Sequence, residues 1–135
     1  MVFGDKIFNI IHEIKKKITK LERDIASKVG LNCSETSVIS CLDKNKKLSH
    51  TELVKIGNFD KSALSRLLSK MAQKDLIKSS YGENNKKTLY SILTEKGKVF
   101  AENIKKYFDE LLGKYFKKGS EEFELFLSMF KKSSV

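Results

Sequence analysis

One segment of the sequence carries hydrogen-bonding side chains in an arrangement that suits recognition of a ligand. Between Lys61 and Lys74, a helical period of 100° per residue separates an apolar side from a side of short hydroxyls and one arginine. The polar side consists of Ser62, Ser65, Arg66 and Ser69. A solvated helix face more often carries glutamate and lysine four residues apart. The segment therefore predicts a helix with a polar recognition surface.

Arg66 is informative because arginine is rare in this chain. Among 27 basic residues only Arg23 shares its type, and the others are lysine. A guanidinium presents a planar fork of donors that matches the major-groove edge of guanine, whereas an ammonium is a point charge. Arginine at this position therefore favours a contact of defined geometry. A solvent-exposed or intrahelical ion-paired arginine is the alternative interpretation.

The positive charge of the chain is concentrated in its middle. Residues 31–99 carry thirteen basic and seven acidic side chains, which is +6 of the net charge of +10. A surface that binds a polyanion needs such an excess. A general lysine bias would also produce the total charge, but it explains this concentration less well.

Two capping boxes predict the helices that precede the segment. Asn32 with Glu35 begins one helix, and Ser49 with Glu52 begins a short one that Gly57 closes, with Leu53 and Ile56 directed inward. A polar turn is expected over residues 43–47 between them. The recognition segment then follows with Asp60 as its cap, which gives the order of a helix-turn-helix.

After the recognition segment the period changes from helical to extended. Residues 77–81 and 88–93 are rich in β-branched and aromatic side chains and predict two strands. The turn between them contains glycine, asparagine and the adjacent lysines Lys86 and Lys87. A hairpin in this position predicts a wing beside the recognition helix.

Long amphipathic helices are predicted on both sides of this core. The first, residues 5–29, ends at Gly30 and has an apolar seam of Ile7, Ile11, Ile14, Ile18, Leu21 and Ile25. The second begins at Thr94 as cap and reaches about Lys118. Its apolar positions are Phe100, Ile104, Phe108, Leu111, Leu112, Tyr115 and Phe116. After a break at Gly119–Ser120, a last helix carries Phe123, Phe126, Leu127 and Phe130.

These elements define the predicted fold and its domain organisation. The fold class is mainly α with a small β-hairpin wing (α+β), in one domain of residues 1–135. Residues 32–99 form the winged helix-turn-helix core, and residues 1–30 and 100–135 form dimerisation helices. Their surplus apolar surface predicts a homodimer. A helical cap within a monomer is the alternative.

The residues of the core resemble the MarR family of bacterial regulators. The stretch from Asp60 to Leu68 and on through Asp75-Leu76-Ile77 is similar to that family's recognition helix and its exit into the wing. Leu93-Thr94-Glu95-Lys96-Gly97 matches its Leu-Thr-x-x-Gly signature, and Leu31-Asn32 resembles the family's Leu-Thr entry to the second helix. The wing departs from the pattern, because Asn85 and Lys87 stand where the family has Asp and Arg. Lysine there predicts contact with phosphates more than reading of the minor groove.

The resemblance implies a transcriptional regulator, most simply a repressor, that binds double-stranded DNA in a sequence-specific way. Its homodimer would bind a pseudo-palindromic operator with half-sites about one helical turn apart. Within the matched helix, base reading is assigned to Ser62, Ala63, Ser65 and Arg66. Backbone contacts are assigned to His50, Lys61, Ser69, Lys70, Lys86 and Lys87. Alternatives are a winged helix that binds protein or RNA, and a nonspecific DNA-binding protein.

The resemblance also implies a small aromatic ligand that loosens DNA binding. His12, Tyr107 and Tyr115 are candidates for such a pocket, and core or interface packing is the other interpretation of the same residues.

The remaining residue types argue against other classes of function. No paired carboxylates, Cys/His pair or glycine-rich phosphate loop has convincing spacing, so neither an enzyme nor a cofactor is expected. Two cysteines and two scattered histidines do not make a metal site. Cys33 and Cys41, roughly 12 Å apart if they share a helix, are too distant for a disulfide and are expected to be free thiols, with a redox role as the alternative. Without a secretion signal or a run of about 18 apolar residues, a cytoplasmic location is expected.

Overall fold

The computed structural model describes residues 2–84 and 86–133, and it describes side-chain surroundings for residues 4–84 and 86–128. Over these residues the chain forms, in order, α1 (Val2–Val29), α2 (Cys33–Asn45), β1 (Lys47–Ser49), α3 (His50–Gly57), α4 (Lys61–Gln73), β2 (Ile77–Tyr81), β3 (Leu89–Leu93), α5 (Glu95–Tyr115) and α6 (Glu121–Ser133). The fold is mostly helical with a small antiparallel sheet, which confirms the predicted fold class and the winged helix-turn-helix.

Packing divides the chain into two compact units. One unit comprises residues 26–105 and contains α2 to α4 and the sheet. The other combines residues 1–25 with residues 106–135. The long helices α1 and α5 each run from one unit into the other.

The unit of residues 26–105 places its apolar core under α4 and the sheet. The strand order is β1-β3-β2, with Leu48 opposite Ser91 and Ile77 opposite Leu93. The most deeply buried core residues are at most 1% exposed: Val38, Ile39, Leu42, Leu53, Leu64, Met71 and Leu76. Both predicted capping boxes are present, at Asn32/Glu35 and at Ser49/Glu52.

The unit of residues 1–25 and 106–135 has a separate core. Ile14 and Phe116 are each 1% exposed, Phe126 is 8% exposed, and the rings of Phe116 and Phe126 stack with centroids 4.7 Å apart. Ile10, Ile18, Phe108, Leu112, Phe123 and Leu127 are among the residues that pack around them. Much of the predicted apolar seam of α1 is therefore buried within a single chain.

The predicted polar turn over residues 43–47 is wrong. Helix α2 continues to Asn45, the reversal is confined to Lys46 with a φ of +70°, and β1 follows at once. β1 was not predicted from the sequence, because a three-residue strand with one apolar side chain is too short to show an alternation of apolar and polar residues. Leu48 is nevertheless only 3% exposed, because pairing with β3 carries it into the core.

The inward direction predicted for Ile56 is also wrong. Its side chain is 53% exposed, whereas Leu53 is fully buried. α3 has only eight residues and buries one central side chain, so its last turn extends beyond the core. Asn58 caps this helix in the left-handed conformation, which Gly57 does not adopt.

Several predicted boundaries shift by a few residues. α1 begins at Val2, α4 ends at Gln73 with Lys74 as its C-cap, β3 begins at Leu89 and α5 ends at Tyr115. The two glycine-containing ends are as predicted, with a φ of +79° at Gly30 and +86° at Gly119. The side chain of Phe130, predicted on the last apolar face, lies outside the described side chains.

Candidate nucleic-acid interface

The helix α4 begins with a well-formed cap. The Asp60 side chain accepts a hydrogen bond of 2.9 Å from the backbone N–H of Ala63, which satisfies one of the amides that a helix start leaves open. No acidic residue lies in the first helical turn. The start of α4 therefore has one amide capped by the Asp60 carboxylate and no acidic side chain within its first helical turn.

The two faces of α4 differ as the sequence predicts. Leu64 and Met71 are fully buried, and Leu67 and Leu68 are half-buried. All four residues predicted to read bases, Ser62, Ala63, Ser65 and Arg66, are exposed. At 100° per residue these four positions fall on one side of α4, within its first two turns.

The residues predicted to contact the DNA backbone lie on α4, on α3 and in the hairpin loop. Lys61, Ser69 and Lys70 are exposed on α4, and Lys86 and Lys87 are exposed in the loop between β2 and β3. His50, the first residue of α3, is half-buried. Asn85, named in the comparison of the wing with the family pattern, lies outside the described residues.

Two hollows flank α4. A cleft of about 280 Å³ separates it from the hairpin and is lined by His50, Ser65, Leu68, Ser69, Ala72, Ile77, Ser79, Leu89 and Ser91. A shallow hollow of about 510 Å³ on another side of α4 includes Arg66, Lys70 and Ser34 of α2. Hydroxyl groups therefore occur along both flanks of α4, and the cations Arg66 and Lys70 lie on the flank away from the hairpin.

A partly buried ion pair holds the C-terminal end of α4. Lys74 Nζ donates a 2.7 Å hydrogen bond to Oε2 of Glu35, whose side chain is 3% exposed. The other carboxylate oxygen accepts from the Asn32 N–H at 3.0 Å. Burial alone would raise the Glu35 pKa, but the hydrogen bonds from Lys74 and Asn32 and the charge of Lys74 outweigh it and lower the pKa. The start of α2 is thereby joined to the end of α4.

A second set of contacts joins the same end of α4 to α5. Thr94 Oγ1 donates a 2.6 Å hydrogen bond to the Asp75 carbonyl oxygen, and the Thr94 N–H donates to the Leu76 carbonyl oxygen. Lys96 Nζ donates to the carbonyl oxygen of Lys74 at 2.9 Å. At Gly97 a Cβ would overlap the Leu76 carbonyl oxygen, so glycine permits this close approach.

The role of Glu35 beyond its capping box was missed by sequence reasoning. Its partner Lys74 is 39 residues away, and no periodicity connects the two positions. Thr94 and Gly97 were found as a family signature, yet their contacts with the end of α4 were not foreseen. In the structure these signature residues contact the C-terminal end of α4 and hold it in place.

The residues predicted for an aromatic-ligand pocket have different surroundings. His12 is exposed on α1, and Tyr107 is half-buried on α5. The hydroxyl of Tyr115 donates to the carboxylate of Asp24, and this hydrogen bond raises the pKa of Tyr115, with burial and the Asp24 charge adding to it. The phenol of Tyr115 is therefore engaged within the chain.

The cysteines are free and half-buried. Burial raises the pKa of the Cys41 thiol, and the charge of Lys44 only partly opposes it. Within the described residues, no group of three metal-ligating side chains occurs. None of the helices in the described part of the chain is long and apolar enough to cross a membrane.

Comparison with known proteins agrees with this architecture. The sequence model of the MarR family matches residues 31–89, which include α2 to α4 and β2. An uncharacterized HTH-type transcriptional regulator of Bacillus subtilis, YhjH, is 27% identical over 97 residues, covering 72% of this chain. The aligned stretch spans only about half, 55%, of that relative.

Solved structures share the fold over most of the chain. A mutant MarR from E. coli complexed with operator DNA is similar, with a TM-score of 0.74 and 19% identity, over 96% of this chain and 94% of that one. Bordetella bronchiseptica BpsR, described through regulation of its DNA binding by 6-hydroxynicotinic acid, has a TM-score of 0.70 and 14% identity, over 94% of this chain and 99% of that one. Members of the MarR family are transcription regulators, not enzymes. Over residues 31–89 this chain is similar to the MarR family, and it shares the winged helix-turn-helix fold of the solved MarR structures.

Proposed function

We propose that the chain is a sequence-specific regulator that binds double-stranded DNA through α4 and acts as a repressor. The observation that carries the proposal is the exposed surface of Ser62, Ala63, Ser65 and Arg66 at the capped start of α4. A helix that presents short polar groups and an arginine near its N-terminus can enter the major groove with these residues at the base edges.

The side chains divide by the part of DNA that they can recognise. Arg66 would donate two hydrogen bonds to one guanine, the serine hydroxyls would donate to or accept from neighbouring bases, and the methyl group of Ala63 would contact a thymine methyl. Lys61, Lys70, Lys86 and Lys87 would neutralise phosphates, which supplies affinity that does not depend on sequence.

A homodimer is part of the proposal. Because Ile14, Leu21 and Ile25 are already buried within one chain, the apolar seam of α1 supports dimerisation less than the sequence suggested. The support that remains is the exposure of Ile7, at 38%, and Phe8, at 71%, near the start of α1. Two copies would place two copies of α4 on a pseudo-palindromic operator. Light scattering should give a particle of twice 15.5 kDa, and a monomer at working concentration would contradict the dimer.

Release of DNA by a small aromatic ligand is the remaining part of the proposal. Its support is the likeness to BpsR, whose DNA binding is regulated by 6-hydroxynicotinic acid. Since the Tyr115 hydroxyl is hydrogen-bonded to Asp24, the exposed His12 is a better candidate than Tyr115 for contact with such a ligand. Titration with salicylate and with 6-hydroxynicotinic acid as probes should lower DNA affinity. Unchanged affinity with both probes would refute the proposal that an aromatic ligand releases the DNA.

The test of the main proposal compares two DNA sequences. Binding to the upstream region of the chain's own gene is measured against a scrambled duplex at several salt concentrations. We expect tighter binding to the upstream region, by a factor of at least about a thousand for a specific site. Equal affinity for both duplexes would leave a nonspecific DNA-binding protein, and no binding to either would favour the protein- or RNA-binding alternative.

Three variants then separate base reading from phosphate contact. Arg66→Ala should cost about 1–3 kcal/mol at the operator and relax its base preference, whereas Lys86→Ala should weaken both duplexes alike and lower the salt slope by about 1. Arg23→Ala is the matched control, because it removes the other arginine, an exposed residue of α1. Loss of specificity in Arg23→Ala equal to that in Arg66→Ala would refute the assignment of Arg66.

A further inference from the structure

The wing exposes two large apolar side chains directly opposite each other. Tyr81 ends β2 and is 61% exposed, and Leu89 begins β3 and is 46% exposed. The two residues are cross-strand partners in the antiparallel ladder. We propose that Tyr81 and Leu89 pack together against the deoxyriboses that line a minor groove of DNA. This minor groove is the one beside the major groove that α4 would enter. This proposal rests on the proposed DNA binding.

The pleat of the hairpin determines which way this pair points. Residues two apart on a strand share a face, so the pairs Ile77–Leu93, Ser79–Ser91 and Tyr81–Leu89 form one row. Ile77, Ser91 and Leu93 in that row are buried toward the core. Tyr81 and Leu89 continue the same face beyond the core.

Leu89 also borders the cleft between the hairpin and α4. The α4 side of that cleft carries Ser65 and Ser69, and the hairpin side carries Ser79, Ser91 and Leu89. If α4 lies in a major groove, the strand that separates it from the neighbouring minor groove must pass across this cleft. The hydroxyls then face phosphates, and the Tyr81–Leu89 pair at the outer end meets the sugars.

The charges around the pair favour DNA over an apolar protein partner. Lys86 and Lys87 are exposed in the loop that joins the two strands. An apolar pair next to two lysines complements a sugar surface that lies between phosphates. Minor-groove binding by other proteins commonly combines apolar side chains with basic ones.

The chemistry of the wing tip adds a reason for this contact. Lysine at position 87 supplies a point charge, which binds phosphate but does not provide the planar fork of an arginine. Apolar contact with sugars would hold the wing in the groove without that fork. It would depend on groove width and would therefore favour operators with a narrow minor groove.

Threonine substitutions test the pair while keeping the strands. Tyr81→Thr and Leu89→Thr retain a residue that strands favour. Each should lower operator affinity roughly tenfold, which corresponds to losing burial of about 55 Å² of apolar surface. The dependence of affinity on salt should keep its wild-type slope, because no cation is removed. Thermal unfolding of each free variant is measured to show that the hairpin is intact.

Two controls make the result specific. Val99→Thr removes an apolar side chain that is 60% exposed on α5, outside the hairpin and α4, and should leave affinity unchanged. Lys86→Ala should change the salt slope, which the threonine variants should not.

The outcomes distinguish this inference from the proposed function. If wild-type protein binds the operator but both threonine variants bind as tightly, the apolar contact is absent and the inference fails. It also fails if the variants change the salt slope, or if they change particle size in light scattering, which would make the pair a contact with a second copy. If wild-type protein binds no duplex, the proposed DNA-binding function itself is refuted, and the inference about the wing is refuted with it.

Discussion

Lys74→Met tests how the end of the recognition helix is held. Methionine keeps most of the lysine stem but removes the ammonium that donates to Glu35 at 2.7 Å. Near neutral pH the variant keeps the Glu35 side chain, 3% exposed, as a buried carboxylate that accepts the capping hydrogen bond from the Asn32 N–H. Leaving a buried charge without its counter-ion is costly because water cannot replace the lost partner.

The size of the effect follows from the exposure of the two partners. A hydrogen bond to a charged group contributes about 1.5–3 kcal/mol, and loss of a partner for a buried group lies in the same range. Lys74 itself is 49% exposed, so solvent screens part of its charge. We therefore expect the free energy of unfolding to fall by about 2 kcal/mol, near the middle of that range.

The effect should depend on pH with a defined sign. The folded-state pKa of Glu35 is lowered, so the pair adds stability above the unfolded-state pKa of about 4.3 and loses it as pH falls through the folded value. Urea unfolding followed by circular dichroism at pH 7 and at pH 3.5 measures this. The difference in the free energy of unfolding between wild type and Lys74→Met should be smaller at pH 3.5 than at pH 7.

The matched control is Lys98→Met, which breaks an exposed ion pair with Glu95 at 3.2 Å. It should change stability little, because exposed pairs are screened by water. Two results would refute the argument that this pair stabilises the end of α4. One is a Lys74→Met variant as stable as wild type, and the other is a difference in the free energy of unfolding that is the same at both pH values.

Two further predictions concern backbone space and thiol reactivity. Gly97→Ala should lower stability by about 1–3 kcal/mol, since its Cβ would overlap the Leu76 carbonyl oxygen, which as backbone cannot move aside. Gly113→Ala in the same helix has open space and should instead raise stability by about 0.5–1 kcal/mol; equal losses in both variants would contradict the steric reason. In a Cys33→Ala background, Cys41 should react with iodoacetamide more slowly at pH 7.5 than a free cysteine does, because burial raises its pKa. Alkylation at the rate of free cysteine would show that the thiol is not protected.

Local signals in the sequence were sufficient to predict most of the elements. The caps at Asn32, Ser49 and Asp60 are short-range hydrogen bonds between residues three apart, so residue type alone reveals them. The two faces of α4 follow from its period of 3.6 residues. The strands of the hairpin were predicted from their β-branched and aromatic residues, with a boundary error of one residue at Leu89.

Features that depend on partners distant in sequence were not predictable in the same way. β1 exists only because Leu48 pairs across to Ser91, and Ile56 is exposed only because the core ends one turn before it. A hydrophobic pattern states that a side chain prefers burial, but it does not state how far the core extends.

The assignment of α4 as the candidate reading element was determined by the sequence itself. Its opposed faces and its rare arginine are properties of residue type and spacing, which need no neighbour to be recognised. Tertiary structure decided what fixes that helix and what lies beside it. Glu35 and Lys74, Thr94 and Asp75, and Tyr81 and Leu89 meet only when the chain folds. Each pair joins different elements through hydrogen bonding or strand pairing, and such contacts have no period along the chain.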